Sequence, residues 1–519
     1  MCFSAWGPNF FNEIILMTNQ EQIAYFIRSL REQRGLTQQE FAKRLGTSQS
    51  AVARMEAGKQ NFTAKELSKI SDALEHKIIS LDDSIDFRIT GGKKLSGSIE
   101  TNTSKNGALG LMCAALVNKG KTTLHGIPRI EEVNRLIEIF ESIGISVIWV
   151  DERSLEIKPP KKFLLQNLDE KAASRIRSVL MMIGPLLHHV GHFTIPHAGG
   201  CKMGNRTIEA HRHGLQALGA KIVTKSTHYD VSVKKMKPAE IVMYEASDTA
   251  TENILMAAAL VPGKTVIEFA PPNYQVQDVC FFLEKLGVTI EGIGSTTLTV
   301  HGLSDINQSV EYTNSEDPIE AMMFISAAIT TGSELTITRA PIDFLKLELL
   351  KLQKMGLTYK IEKEYFSHNG RTKLVDIIVY PSKLKAVGDK IHALPYPGIN
   401  TDNLPFFVPI ATQAQGTTMI HDWMWENRAI YFTELNRLGA SVVLADPHRV
   451  FIQGPTKLKS AQVVCPPALR PAVIILIGML AAEGVSMLRN VYSISRGYED
   501  IAKRLNSIGA QIEVVHGHM

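Results

Sequence analysis

The segment "FESIGISV", Phe140–Val147, closes an apolar helical run, places a glycine, and continues into β-branched residues. A glycine in left-handed conformation ends a helix without a Cβ clash, and the β-branched residues after it suit a strand. The phrase recurs five times, as "LQALGAKI" (Leu215–Ile222), "LEKLGVTI" (Leu283–Ile290), "LQKMGLTY" (Leu352–Tyr359), "LNRLGASV" (Leu435–Val442) and "LNSIGAQI" (Leu505–Ile512). The turn glycines are Gly144, Gly219, Gly287, Gly356, Gly439 and Gly509. Their period of about 70 residues exceeds that of common solenoids. Most phrases come after another apolar helix and a strand, as in "ENILMAAALVPGKTVIEF", Glu252–Phe269. Each unit therefore reads strand–helix–strand–helix–strand–strand, an α/β pattern.

The chain has 519 residues, too many for one core, so two to four domains are expected. Its composition is ordinary for a globular protein, with 45% hydrophobic and 21% charged residues. A net charge of +4 is too small to make the whole chain a nucleic-acid binder. Five widely spaced cysteines do not form a disulfide framework, and a reducing, cytoplasmic setting is expected. No apolar run is long enough to span a membrane. The opening "MCFSAWGPNFFNEIILMTNQ" lacks a basic n-region and Glu13 interrupts its apolar part. It reads as a tail over residues 1–18 rather than a signal peptide, with Met1 and Met17 both open as the start.

Residues 19–82 read as a small all-α domain. Thr37 and Glu40 form a capping box that opens a short helix, and Gly46 ends it. Ser48 caps a second helix, "SQSAVARMEAGK", closed by Gly58. The pattern "LTQ…GTSQSAV…ME.GK" resembles the phage Cro and repressor family of helix-turn-helix domains. That resemblance implies that the second helix enters the major groove of duplex DNA, with Gln38, Gln49, Ser50 and Arg54 nearest the bases. A protein-docking module of the same fold is the alternative.

Beyond a polar hinge at "LDDSID", the six units in two groups of three resemble the enolpyruvyl transferase family, from Phe87 to the C-terminus. The resemblance implies a two-lobed fold of six βαβαββ units, an inside-out α/β barrel with helices packed inside and sheets outside. The first lobe is expected at 105–314 and the second at 83–104 and 315–519. The first strand after the hinge would then join the second lobe, and the chain would cross between lobes twice.

Within that family the motifs are similar to the branch of UDP-N-acetylglucosamine 1-carboxyvinyltransferases, which begins peptidoglycan synthesis. A Lys-Asn pair appears as Lys105 and Asn106 in "TSKNGAL", and a Gly-Gly-Cys…Gly-x-Arg lid as "AGGCKMGNR". "INTDN" supplies Asp402, "WENRA" Arg428, "ALR" Arg470, "SRGYED" Arg496 and "RSVLMMIGPLL" Arg177. Phosphoenolpyruvate carries a phosphate and a carboxylate, so its site needs several cations brought together. Lys105, Arg206 and Arg496 lie in different repeats and would meet only across the interlobe cleft, where closure excludes water. The resemblance makes Lys105, Asp402 and Cys201 catalytic. It makes Asn106, Arg177, Arg206, Asp317, Arg428, Arg470 and Arg496 substrate-binding. Asp402 would take the proton of the attacking sugar hydroxyl, and a desolvated carboxylate there is expected to have a raised pKa. Asp317, in "SEDPIEA", would orient the acceptor; the plain alternative for both Asp402 and Asp317 is a helix cap, since each precedes an apolar helix. Cys201, beside Lys202 and near Arg206, would protonate C3 of phosphoenolpyruvate and be the thiol alkylated by fosfomycin. No cofactor, metal or membrane partner is expected.

Three departures fall mainly on the acceptor side. "RTIEA", Arg206–Ala210, stands where the family has Arg-Pro-Val-Asp-Leu to hold uracil. Glu245, in "YEASDTA", replaces a lysine near the diphosphate, and Ala468 replaces an active-site aspartate. Two alternatives to transfer onto UDP-N-acetylglucosamine therefore stand: transfer onto another acceptor, and a DNA-binding regulator whose transferase-like body senses a ligand.

Overall fold

In a computed structural model the described residues are 36–58, 85–199 and 207–516, with positions 24, 27, 28, 31, 32, 66, 69, 70 and 73. The chain divides into two compact units, Met1–Ser84 with His516–Met519, and Ile85–Val515.

In the N-terminal unit the Thr37 hydroxyl accepts from Glu40 N at 3.2 Å, and Glu40 Oε2 accepts from Thr37 N at 2.8 Å. This reciprocal pair opens the helix Gln38–Leu45, which ends at Gly46 with φ 65°. Ser48 then caps the helix Gln49–Glu56 by accepting from Ala51 N at 3.2 Å. That helix ends at Ala57, one residue before the positive-φ Gly58. Ile27, Phe41, Ala42, Val52, Met55 and Ile70 form the small core. The buried Arg31 guanidinium, bonded to Glu56 at 2.6 Å, ties an earlier helical segment to the end of the second helix.

In the body all six phrase glycines have positive φ, from 81° to 110°. The third repeat is complete in sequence order: strand Glu240–Val242, helix Asp248–Ala258, strand Gly263–Glu268, helix Tyr274–Lys285, then strands Thr289–Glu291 and Thr297–Gly302. Other units borrow strands. Val310–Thr313 runs parallel to Thr122–His125 in the first unit. Ser98–Glu100 runs parallel to Leu335–Pro341 in the fourth, and Ile85–Gly91 pairs antiparallel with Gly484–Arg489 in the sixth. In the second unit three strands pair, and in the fifth the phrase ends a 3-10 helix, Ala429–Leu438. Among the described residues the strands form six separate open sheets, five of four strands and one of three, rather than one closed barrel.

Two long helices are buried on nearly every side and are correspondingly apolar apart from one charged residue in the first turn of each, Glu320 and Arg470. Every residue of Pro318–Thr330 is buried. So are eleven of the thirteen in Leu469–Ala481, Arg470–Leu480. The buried apolar residues separate into two clusters, one within Ala108–Tyr312 and one joining Phe87–Ile99 to Ile319–Ile512, with Tyr274 reaching into the second. No helix among the described residues is long and apolar enough to cross a membrane.

The chain passes between the lobes at Asn102–Ser104 and again at Ser315–Asp317. These segments lie side by side: Thr103 bridges Glu316, Asp317 N donates to Asn102 O at 2.8 Å, and Ser104 N donates to Ser315 O at 2.7 Å.

Candidate active site

Each crossing ends in a helix cap. The Ser104 hydroxyl accepts from Gly107 N at 3.0 Å and starts the helix Lys105–Ala114. Asp317 accepts from Ile319 N at 2.8 Å and starts Pro318–Thr330. Lys105 therefore stands at the mouth of one lobe and Asp317 at that of the other. The cap reading of Asp317 holds. Burial raises its carboxyl above the usual range, opposed by the nearby Arg470 charge.

Lys105 Nζ lies 2.7 Å from Glu132 Oε2, and Arg496 Nη2 donates to Glu132 Oε1 at 2.8 Å. Glu132 sits in the first turn of Glu131–Ser142, in the first lobe; Arg496 comes from the second. All three side chains are 13–15% exposed. Burial alone would push the Glu132 carboxyl up, but the two cations together hold it below the usual carboxylate range. The rest of "RGYE" also finds partners. The Tyr498 hydroxyl accepts from Arg470 Nη1 at 2.7 Å. Glu499 accepts from Arg129 N at 3.0 Å and pairs with Arg153 at 2.9 Å, both in the first lobe.

Asp402 lies in the second lobe, 3.3 Å from Arg470 Nη2 and 3.8 Å from Arg428 Nη1. Its loop is braced from below. Glu348, buried, accepts from Asn400 N at 3.1 Å and Asn403 Nδ2 at 2.9 Å, while Asn400 Oδ1 accepts from Asp402 N at 2.8 Å. Arg428 is 1% exposed and grips the equally buried Asp422 through Nε and Nη2 at 2.5 and 2.8 Å. It also donates to Thr401 O at 2.7 Å. Arg428 is thus tied to Asp422 and to the Thr401 backbone, and supports the loop that carries Asp402. The expected upward shift of Asp402 is reversed: burial raises its carboxyl, but Arg470, Arg428 and Lys105 outweigh it and hold it below the usual range.

Asn106 donates to the Tyr274 hydroxyl at 3.1 Å. Arg177 donates to Thr207 O at 2.7 Å, just past the lid. Burial lowers its pKa, against the charge of Glu245, which lies close enough to act on it. Cys201, Lys202 and Arg206 lie outside the described residues. Ala468 is buried at the start of Leu469–Ala481 and offers no side-chain cap. In the helix-turn-helix, Gln49, Ser50 and Arg54 are exposed, whereas Gln38 donates to Glu56 Oε2 at 2.9 Å. The cavity lined by Lys105, Asp317, Glu320, Gly497 and Tyr498 measures about 10 Å³, room for about one water.

Sequence reasoning missed Glu132, Glu348, Asp422 and Asp248. Glu132 comes directly after Glu131 at a helix start, where acids ordinarily just complement the helix dipole. Asp248 carried no signal either. It occupies the first turn of Asp248–Ala258 and accepts from Asn273 Nδ2 at 2.8 Å. Burial, with the Asp402 charge adding to it, raises its carboxyl to about 6.

Two lobes of repeated α/β units, with acids and cations of both lobes meeting at the crossings, define an enolpyruvyl transferase body. The family model for EPSP synthase (3-phosphoshikimate 1-carboxyvinyltransferase) matches residues 89–505, and a helix-turn-helix model matches residues 27–76. The enolpyruvyl transferase NikO from Streptomyces tendae superposes with a TM-score of 0.71 at 22% identity, over 84% of this chain and all of that one. An EPSP synthase from Acinetobacter baumannii gives 0.66 at 17% identity, over 83% of this chain and all of that one. The UDP-N-acetylglucosamine 1-carboxyvinyltransferase of Bradyrhizobium diazoefficiens is 34% identical over 438 residues, 83% of this chain and 98% of that protein. UDP-N-acetylglucosamine 1-carboxyvinyltransferase 1 of Symbiobacterium thermophilum is 35% identical over 434 residues, 83% of this chain and 95% of that protein. The chain belongs to the UDP-N-acetylglucosamine 1-carboxyvinyltransferase family, with a helix-turn-helix domain in front.

The raised carboxyl of Asp248 makes stability depend on pH. Its folded pKa of about 6 lies above the unfolded value of 3.8. The folded state thus holds the proton more tightly, and the contribution is full below pH ~4 and lost as pH rises through ~6. Asp248→Asn is expected to unfold at higher temperature than wild type above pH ~6, with the difference vanishing near pH ~4. Melting curves across that window check it; a constant difference would place the effect in packing instead.

Proposed function

We propose that the protein transfers the enolpyruvyl group of phosphoenolpyruvate to the 3-hydroxyl of UDP-N-acetylglucosamine and releases phosphate, the first committed step of peptidoglycan synthesis. The observation that carries this reading is the meeting of Lys105 and Arg496, from different lobes, within 2.8 Å of one anionic side chain. Two cations held that way suit a phosphate. Asp402, kept ionised by its neighbours, is ready to accept the hydroxyl proton. When Lys105 turns its charge to the phosphate, Asp402 becomes more basic, so base strength is coupled to substrate arrival.

In the addition step the sugar oxygen attacks C2 while Asp402 takes its proton, and the Cys201 thiol gives a proton to C3. In the elimination step the thiolate removes a proton from C3, the C2–O bond to phosphate breaks, and phosphate leaves. Arg206 and Arg177 contribute charge from the lid side, and Arg470 orients Asp402. Phosphate release from phosphoenolpyruvate, measured with and without UDP-N-acetylglucosamine, tests the reaction. One observation favours the sensor reading: Ala468 leaves the helix start without the family's carboxylate. A protein that binds both ligands, releases no phosphate and changes its DNA affinity would establish it.

The lid thiol makes the sharpest prediction. Cys201→Ser is expected to lose most turnover with an unchanged circular dichroism spectrum. Cys201→Asp should retain part of it and resist fosfomycin, because a carboxylic acid donates a proton but attacks an epoxide poorly. Full turnover by Cys201→Ala would remove Cys201 from the mechanism.

Glu245 stands where a cation would meet the diphosphate. Exchanging a positive for a negative charge there changes two unit-charge interactions, each about 3 kcal/mol at ~6 Å and an effective dielectric near 20. Screening reduces this, yet a quarter of the total is still about tenfold in binding. Glu245→Lys is expected to lower the KM for UDP-N-acetylglucosamine about tenfold. An unchanged, micromolar KM in both proteins means that Glu245 does not face the diphosphate.

The N-terminal unit serves as a DNA-docking module, with Gln49, Ser50 and Arg54 presented from the second helix. The full chain is expected to bind duplex DNA with strong salt dependence. Arg54→Ala should weaken a specific site by about 1–3 kcal/mol in a mobility-shift titration. No binding at low salt, with or without substrates, assigns the unit to protein docking.

A further inference from the structure

We infer that Glu132 is an internal competitor for the phosphate site: its carboxylate holds Lys105 and Arg496 together across the lobes, and an incoming phosphate must take both cations from it. The inference rests on the proposed reading of Lys105 and Arg496 as phosphate ligands. Three observations carry it. The two Glu132 oxygens divide between the two cations, at 2.7 and 2.8 Å. The cations belong to opposite lobes, Lys105 at the start of Lys105–Ala114 and Arg496 just past Tyr492–Ser495. All three side chains are only 13–15% exposed, so an anion reaches the two cations only by taking the place of the Glu132 carboxylate.

Glu499 also crosses the seam, but with one side-chain cation, Arg153, and one backbone N–H. Glu132 divides its two oxygens between two side-chain cations, as a bound anion would. Its neighbour Glu131 is already engaged with Arg135 at 2.5 Å in an ordinary helix-surface pair. Two anions sharing partly desolvated cations repel each other, so carboxylate and phosphate exclude one another from the pair. The exchange also filters ligands by charge. A monoanion replaces one carboxylate with its like and gains little. A phosphate dianion offers two charges and three acceptor oxygens, and gains more. Specificity for a phosphate-bearing substrate then arises from what has to be displaced as well as from what is bound.

The test uses the full chain and inorganic phosphate as the probe, followed by isothermal titration calorimetry. Glu132→Gln keeps the side chain's size and removes its charge. It is expected to bind phosphate at least tenfold more tightly than wild type, and to lower the KM for phosphoenolpyruvate in the same direction. A residue that merely held the fold would weaken both when altered. Glu132→Asp, which keeps the charge but cannot reach both cations, should fall between the two proteins, and it serves as the measurement if the glutamine variant does not fold. Lys105→Ala separates the two readings. If phosphate binding is lost in Lys105→Ala but unchanged or weaker in Glu132→Gln, the competitor role is overturned and the phosphate site stands. Phosphate binding that is absent from wild type and Glu132→Gln alike, or insensitive to Lys105→Ala, overturns the phosphate site and the competitor with it.

Discussion

Two strands of backbone carry the chain between its lobes, and they are hydrogen-bonded to each other. Asp317 N reaches Asn102 O, and Ser104 N reaches Ser315 O, at 2.8 and 2.7 Å. Because the next residue on each path begins a helix, both helix starts are fixed against the same pair of peptides. Lys105 and Pro318 are therefore registered to one another by backbone, independently of any side chain. The borrowed strands result from the same route. The chain enters the second lobe first, leaves Ile85–Gly91 and Ser98–Glu100 there, and returns only after Thr313. The second lobe is completed by residues far away in sequence, Ile85–Gly91 and Ser98–Glu100, whereas the first is closed by its own last strand, Val310–Thr313, beside Thr122–His125.

That arrangement brings an unusual density of charge to the crossings. Lys105, Arg470 and Arg496 stand among Glu132, Asp317, Glu320 and Asp402. A carboxylate taken from water into such a place rises in pKa unless cations offset the loss. Asp402 and Glu132, each with two or more cations in reach, fall below the usual range. Asp248 and Asp317 rise, Asp248 with an amide as its hydrogen-bond partner and Asp317 with the Arg470 charge only partly offsetting its burial. The cleft thus holds carboxyls with lowered and with raised proton affinity side by side, sorted by their neighbours. Buried pairs such as Arg428–Asp422 add little net stability over an apolar substitute, but they fix orientation. Here they orient the loop that presents Asp402.

The repeat was legible in the sequence because it rests on local chemistry. Each phrase glycine needs positive φ to turn from helix to strand, so all six could be read without knowing what they pack against. The capping box at Thr37, the cap at Ser48 and the short helices they open were legible for the same reason. The strand exchange was implied only by resemblance, since pairing between Ser98–Glu100 and Leu335–Pro341 leaves no mark in either segment. The site was half legible. Lys105, Asp402, Arg470 and Arg496 converge as the motifs suggest. Arg428 reads as one more cation, yet its guanidinium is committed to Asp422, an acid six residues earlier that periodicity does not single out. The shift of Asp402 was misread because desolvation was weighed without the three cations that surround it. Glu132 was invisible because its sequence context is that of any acidic helix start.

The departures from the family depend on which lobe each residue serves. Lys105 and Arg496 are shared through Glu132, and Glu499 is shared with Arg129 and Arg153. On the proposed reading of Lys105 and Arg496 as phosphate ligands, a change at either alters substrate binding and lobe contact together, so the two requirements constrain the same side chains. Glu245, Asp248 and the run from Thr207 to Ala210 all belong to the first lobe, and their hydrogen bonds, like that of Arg177 to Thr207, stay within it. On the proposed reading, substitutions there change what the acceptor meets and leave the hydrogen bonds of the crossings in place. Ala468 obeys the same rule from the other side. It opens a helix buried within the second lobe, where a missing carboxylate removes a charge from the cleft but no contact between the lobes. On that reading, a chain built this way keeps its phosphoenolpyruvate side fixed by mechanics and leaves its acceptor side free to vary.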